Sequence, residues 1–365
     1  MSKVLSCYKE GREGPFFGLH DLLGLFRVTA SRVSNNPLLT DVNGSTVPAS
    51  CTFYKRARAL YDANFETDRV TVVQLLISME WRGGCRKNVY YWGRRAIIVA
   101  QDTCIHRSVQ ESLLRNADKK PWKRIWWTPV TRHHSIAVEF GRPLIMNLDD
   151  CDVETLHHGN FIDQEDCAGL AVHTYRPDPV HVHYFLRYVE LSKIMGRIHL
   201  SLYSALLTGQ QNMPENCPDL LFRARHRENL EASLTYLNYY TAVCIVHRFS
   251  LSTGSSEIKL HDSWDHPSRD MAFHAAEMIS RIVEDLAAQD HLQQCPAYIV
   301  HTPFSAFIMH LYQMRSPKLY RLHNCMQVMK KISPVWLVGK MAHRVLEFVV
   351  DNRLFKEHFR KAKDV

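Results

Sequence analysis

The chain has 365 residues, 46% of them hydrophobic and 22% charged, with 45 Lys and Arg against 37 Asp and Glu for a formal charge of +8. Those values belong to an ordinary globular protein and exclude a disordered polypeptide, a collagen-like repeat and a disulfide scaffold. At roughly 150 residues per domain the length means one large domain or two.

The charge excess is spread along the chain. Residues 1–120 carry 18 basic and 11 acidic side chains, residues 121–250 carry 12 and 14, and the remainder 15 and 12. The basic runs Lys55-Arg56-Ala57-Arg58, Lys119-Lys120 with Lys123-Arg124, and Arg360-Lys361 with Lys363 are short and interrupted. They read as solvated helix faces, since nucleic-acid binders concentrate Lys and Arg on one stripe. The ten cysteines are never closer than sixteen residues (151 and 167), which excludes clustered zinc-ligand spacing. The first eighteen residues lack the apolar region of a signal peptide, and no apolar run reaches the roughly 18 residues of a membrane span. A reducing compartment is expected, with cysteines as small apolar fillers.

Apolar residues recur at spacings of three and four almost throughout, which predicts helices. Val33 to Ser50 reads as a connection. A helix follows Thr67-Asp68, residues suited to capping, and runs through Val70, Val73, Leu76, Ile77 and Trp81 until Gly83-Gly84. The next carries Val89, Trp92, Ala96, Ile97 and Ala100. Another spans Pro121 to Phe140 and stops at Gly141-Arg142-Pro143, where Gly accepts the left-handed turn and Pro cannot continue. A connection from Asp149 to Pro179 precedes a long helix marked by Val182, Phe185, Val189, Ile194, Ile198 and Leu202. Leu230 to Cys244 and Met271 to Ile282 mark two more, and the last hundred residues add three or four. The fold class is all-α, eight to ten or more packed helices in one large domain, with a soft internal boundary near 165–180.

Catalytic and metal motifs are absent. No His-Glu-x-x-His occurs, and the pairs His133-His134, His157-His158 and His181-x-His183 lack the one-face spacing of a helical zinc site. Asp163 stands one residue too far from His157-His158 for a His-His acyl-transfer motif. Asp149, Asp150 and Asp152 read as a solvated acidic loop, or with their neighbours as a docking face. There is no Gly-x-Ser-x-Gly elbow and no phosphate-binding glycine loop. No enzyme is expected.

One constellation is more specific: Lys123-Arg124-Ile125-Trp126-Trp127, then Phe140-Gly141-Arg142-Pro143, then Asp149-Asp150-Cys151-Asp152-Val153. It resembles the signature of the regulatory (middle homology) domain of fungal zinc binuclear cluster transcription factors, and is similar in particular to the cutinase transcription factor branch. Ala59-Leu60-Tyr61-Asp62, Glu66-Thr67-Asp68-Arg69 and Ile105-His106-Arg107 fit as well, and the likeness runs from about residue 20 to beyond 340, through Tyr184 to Tyr203 and a helix end at His247-Arg248. It implies residues 1–20 as an N-terminal extension, 21–350 as the regulatory domain and 351–365 as a basic tail. It also implies a nuclear location and a role in transcription regulation, controlling a metabolic or secondary-metabolite gene set.

This chain lacks the family's array of six close cysteines, which holds two zinc ions and places a helix in the major groove. No cofactor is therefore expected in this chain, with zinc reserved for that separate module. The expected partner is another transcription factor or co-regulator, with DNA contacted only indirectly or weakly, a small-molecule effector as a further possibility, and no membrane. The alternative is a dominant-negative interaction module that competes with a full-length factor; a helical enzyme is the third class. The Asp-Arg that commonly follows the Trp-Trp doublet is replaced by His133-His134, so the helix-to-helix salt bridge assigned to that pair does not carry over. Pro129 is expected to kink its helix by removing one backbone bond. Arg124, Trp126, Trp127, Gly141, Arg142, Pro143, Asp150 and Asp152 are the signature residues, read as structural: Trp126 and Trp127 as core anchors about 100° apart, and Arg142 as a partner for the following carboxylates or backbone carbonyls.

Overall fold

Asp68 sets the first predicted boundary. Its carboxylate accepts a hydrogen bond from the Thr71 amide at 3.0 Å, a side-chain cap of the kind that satisfies an orphan N–H, and the helix begins at Arg69. A computed structural model of the chain describes residues 37–42, 44–79, 89–114, 116–162, 177–208, 230–252, 267–313, 319–334 and 336–351. The expected extension (1–20), the tail beyond Asp351, the Gly83-Gly84 stop and residues 163–176 of the expected internal boundary lie outside them. Among the described residues every regular element is helical and none is a strand, so the chain is all-α.

The α-helices are α1 (Val47–Asp62), α2 (Arg69–Met79), α3 (Val89–Asp102), α4 (Asn116–Phe140), α5 (Pro179–Thr208), α6 (Leu230–Ser252), α7 (Pro267–Ala288), α8 (His301–Tyr312), α9 (Leu319–Ile332) and α10 (Leu337–Asp351). Several boundaries differ from expectation. The loop to Ser50 ends earlier, because Pro48 suits the first turn, where its missing N–H costs nothing. Helix α4 starts five residues before Pro121 and passes through Pro129 without a break in its helical span. There the Thr128 hydroxyl donates to the Arg124 carbonyl at 2.7 Å and the Thr131 hydroxyl to the Thr128 carbonyl at 2.9 Å, adding bonds beside the one Pro129 cannot make. Helix α6 continues past His247-Arg248 to Ser252.

The helices group into two compact units, Met1–Gly196 and Arg197–Val365. In the first, α1 to α4 bury one apolar cluster that includes Tyr54, Val73, Leu76, Trp92, Ile97 and Trp126. Each large side chain so enclosed contributes about 1.5–3 kcal/mol. Polar tips find partners inside it: the Trp92 indole N–H donates to the Tyr54 hydroxyl at 3.1 Å, and Arg132 reaches from α4 to the Ile77 carbonyl at 2.9 Å. In the second unit, α7 turns Ala272, Ala275, Ala276, Ile279, Val283 and Leu286 inward. The expected stripe led by Met271 is rotated, and Met271 itself is 43% exposed. Alanines take its place because they let α6 approach, where the Cys244 thiol donates to the Ala272 carbonyl. Ser280 bonds the His310 ring at 2.9 Å, tying α7 to α8.

Helix α5 packs on α4 at close range. His134 Nδ1 lies 2.9 Å from the Ser192 carbonyl, and both residues are buried. A Cβ on Gly196 would stand 2.8 Å from the His134 ring, so a larger residue here requires that ring or its helix to shift. Gly196→Ala should gain helix propensity, about 1 kcal/mol, yet lose about 1–3 kcal/mol to the overlap. The expected outcome is a lower urea midpoint, and in a His134→Ala background the same substitution should cease to destabilise.

Candidate functional site

The Trp-Trp doublet fixes the site. Adjacent positions on a helix point about 100° apart, and both rings are nonetheless buried. Both belong to the apolar cluster of α1 to α4, and the Trp126 ring lies 6.0 Å from that of His106. Trp127 faces the extended segment after the Leu148–Asp150 turn, where its indole N–H donates to the Glu154 carbonyl at 3.0 Å. The Lys193 ammonium, from α5, lies 5.0 Å from the Trp127 ring centroid and donates to the Thr155 hydroxyl at 2.6 Å.

The same segment grips the loop after α3 from its other side. Asp152 accepts the Ser108 amide at 2.7 Å and pairs with Arg107 at 3.1 Å. Glu154 accepts the Ser108 hydroxyl and pairs with Lys123 of α4 at 2.9 Å. Between these acids Val153, and beyond them Leu156, turn into the core. Three pieces of sequence, residues 105–108, 123–127 and 152–155, thereby meet in one place. Lys123 is only 8% exposed, which corrects its reading as part of a solvated face. Lys119 and Lys120 are also engaged, donating to the carbonyls of Gln110 and Ile162 at 2.8 and 2.7 Å.

The other signature residues form a second junction. Gly141 adopts φ +57°, a conformation that favours glycine. Its amide reaches the Val138 carbonyl and the Arg142 amide reaches Ala137 at 2.9 Å, the paired bonds of a Schellman stop. The Arg142 guanidinium lies 5.1 Å from the Tyr90 ring centroid, and the Tyr90 hydroxyl donates to the Pro143 carbonyl at 2.7 Å. Arg124 lies over Phe161 at 5.8 Å. Asp150 stands exposed at the end of its turn, outside both junctions.

His133 and His134 are wholly enclosed. His133 stacks on Tyr90 at 5.8 Å and accepts the Ile145 amide at 3.3 Å, while His134 bridges to α5. Imidazole hydrogen bonds thus join the elements where an ion pair was assigned. The indole N–H groups of Trp122 and Trp126 and Nδ1 of His106 are buried without a hydrogen-bond partner. Among the described residues no group of three or more His, Cys, Asp or Glu is placed to hold a metal ion, and no helix is long and apolar enough to cross a membrane.

Burial opposes the charge of Glu154, but hydrogen bonds from Ser108 and Lys123 outweigh it and hold the carboxyl below its ordinary value. A folded-state value below the unfolded one contributes stability above the unfolded value, lost as pH falls through the folded one. Lys123→Met should therefore lower stability near neutral pH by about 1 kcal/mol, a figure kept small because Glu154 is partly solvated. The deficit should shrink in acid, where Glu154 is protonated in either protein. Urea midpoints measured at about pH 7 and about pH 3 check this.

Comparison with known proteins gives the chain a setting. Residues 25–238 match the model of the "Fungal specific transcription factor domain" family. The chain is similar to Cutinase transcription factor 1 alpha of Fusarium vanettenii, 46% identical over 94% of this chain and 40% of that protein. It is similar also to the Acetamidase regulatory protein of Aspergillus fumigatus, 25% identical over 72% of this chain and 34% of that protein, and to that of Emericella nidulans, 25% identical over 84% and 39%. The chain thus spans about two fifths or less of the length of these relatives. No solved structure matches.

Proposed function

The chain belongs to the fungal specific transcription factor domain family, and on that premise we propose that it is the regulatory part of transcriptional control in the nucleus, acting through a partner factor or a small-molecule effector and contacting DNA only indirectly. Its relatives are named as transcription factors and regulators, and transcription regulation is the function the family match supports. The gene set is proposed to be metabolic, in keeping with relatives named for cutinase and acetamidase. The observation that carries the indirect route is the cysteine spacing: no two cysteines within these 365 residues are closer than sixteen. A six-cysteine zinc module, with the groove-reading helix it would supply, therefore cannot be assembled from this sequence. Asp152 and Glu154 are committed to Arg107, Ser108 and Lys123.

The chain should change reporter output when fused to an unrelated DNA-binding module, and should give no salt-resistant, sequence-selective band shift without one. Unchanged output from a well-expressed fusion would contradict the regulatory role. A selective band shift by the unfused chain would contradict the indirect route.

A further inference from the structure

Charge in the last third of the chain is lopsided. No Asp or Glu occurs from His291 to Leu346, a stretch that carries seven Lys and Arg. One of these, Arg321, is answered from outside the stretch by Glu277 of α7 at 2.7 Å. Lys330 and Lys331, in the last turn of α9, and Lys340, in the first turn of α10, are exposed. Among the described residues none of these three lysines pairs with an acid. Lysines suit the negative end of α9, but Lys340 stands at the positive end of α10, where a cation is unfavourable. The junction of the two helices therefore holds positive charge that the fold does not neutralise.

Ser333-Pro334 lies at that junction, in the turn that leaves α9. The Ser333 hydroxyl donates to the Lys330 carbonyl at 2.8 Å, an exposed bond, and Pro334 is exposed. The first turn of α10 stands beside it: a Cβ on Gly339 would lie 3.5 Å from the Ser333 Cα, and Lys340 is the next residue. Four Ser-Pro or Thr-Pro pairs occur in the chain. Thr128-Pro129 lies inside α4, its hydroxyl tied to the Arg124 carbonyl. Thr302-Pro303 is enclosed in α8, and Ser316-Pro317 falls outside the described residues. Of the described pairs, Ser333-Pro334 is the one set in an exposed turn, the setting in which a kinase that requires proline directly after its acceptor can reach the hydroxyl.

We propose that Ser333 is a phosphorylation site for a proline-directed Ser/Thr kinase, and that Lys330, Lys331 and Lys340 receive the phosphate and fasten the start of α10 to the end of α9. In the transfer the Ser333 Oγ bonds to the γ-phosphorus of ATP and the bond from that phosphorus to the bridging oxygen breaks. ADP departs, and the hydroxyl proton passes to the base of the kinase. The bond to the Lys330 carbonyl is lost with that proton. In its place a group of charge about −1.5 to −2 with three acceptor oxygens stands among three lysines. Hydrogen bonds between ionised partners are roughly twice as strong as neutral ones, and the added charge also suits the positive end of α10. The inference is independent of the regulatory reading above.

Incubation of the purified 365-residue chain with ATP and a proline-directed kinase of the mitogen-activated class tests it, with Ser316→Ala introduced so that Ser316-Pro317 does not contribute. The expected result is a single added phosphoryl group by intact mass, placed on Ser333 by peptide fragmentation and absent after Ser333→Ala. Amides 336–340 should then exchange several-fold more slowly in the phosphorylated chain than in the unmodified one. That protection should fall away at high salt and in the variant Lys330→Gln/Lys331→Gln/Lys340→Gln, whose three positions are exposed and leave the fold intact. A Ser333 left unmodified overturns the proposal. Phosphate on Ser333 that does not slow exchange at 336–340, or slows it equally in the lysine variant, overturns it as well.

Discussion

Two adjacent tryptophans on one helix leave its axis about 100° apart, so burying both takes a wide enclosing surface. Trp126 and Trp127 lie in one apolar cluster with residues of α1 to α3 and with Val153 and Leu156 of the segment after α4, and the Glu154 carbonyl takes up the Trp127 indole N–H. Much of the first unit follows from that constraint. The covering segment has to be held, so its acids grip Arg107, Ser108 and Lys123, and its Thr155 takes the Lys193 ammonium. The helix has to stop cleanly for the chain to turn back over it, and Gly141 provides that stop.

The signature residues thereby carry a physical meaning. Trp127, Asp152 and the Gly141-Arg142-Pro143 turn take part in the contacts that hold the packing and loop positions of the first unit. Substituting His133-His134 into the signature fits the same logic. An enclosed ion pair must recover a large desolvation cost, whereas here two imidazoles join the same elements through hydrogen bonds with the Ile145 amide and the Ser192 carbonyl. Their volume is accommodated where the opposing helix offers Gly196.

The helices themselves were legible. Apolar spacing located α2, α3, α5, α6 and α7, Asp68 marked a start and Gly141 a stop, because these are local effects of backbone geometry and capping. What spacing could not supply was which face meets which neighbour. Met271 looked like a core residue until the alanines beside it proved to be the contact with α6. Lys123 looked solvated because its partner, Glu154, lies 31 residues away in a stretch read as a solvated acidic loop. The Ser108–Asp152 and Ser108–Glu154 bonds span 44 and 46 residues, a separation at which sequence pattern carries no pairing information. The signature groups those segments, and their hydrogen bonds and ion pairs are the reason they belong together.

The central claim is that residues 152–155 clamp the loop after α3 against the Trp127 face of α4. Amide hydrogen exchange at Ser108 measures it most directly, because that N–H donates to Asp152 and to no helix. The account predicts that Asp152→Ala speeds exchange at Ser108 and its neighbours, and at the turn of α4 carrying Trp127, while α7 and α8 of the second unit stay protected. Ser108 exchanging at the same rate in Asp152→Ala as in the unaltered chain would contradict the clamp.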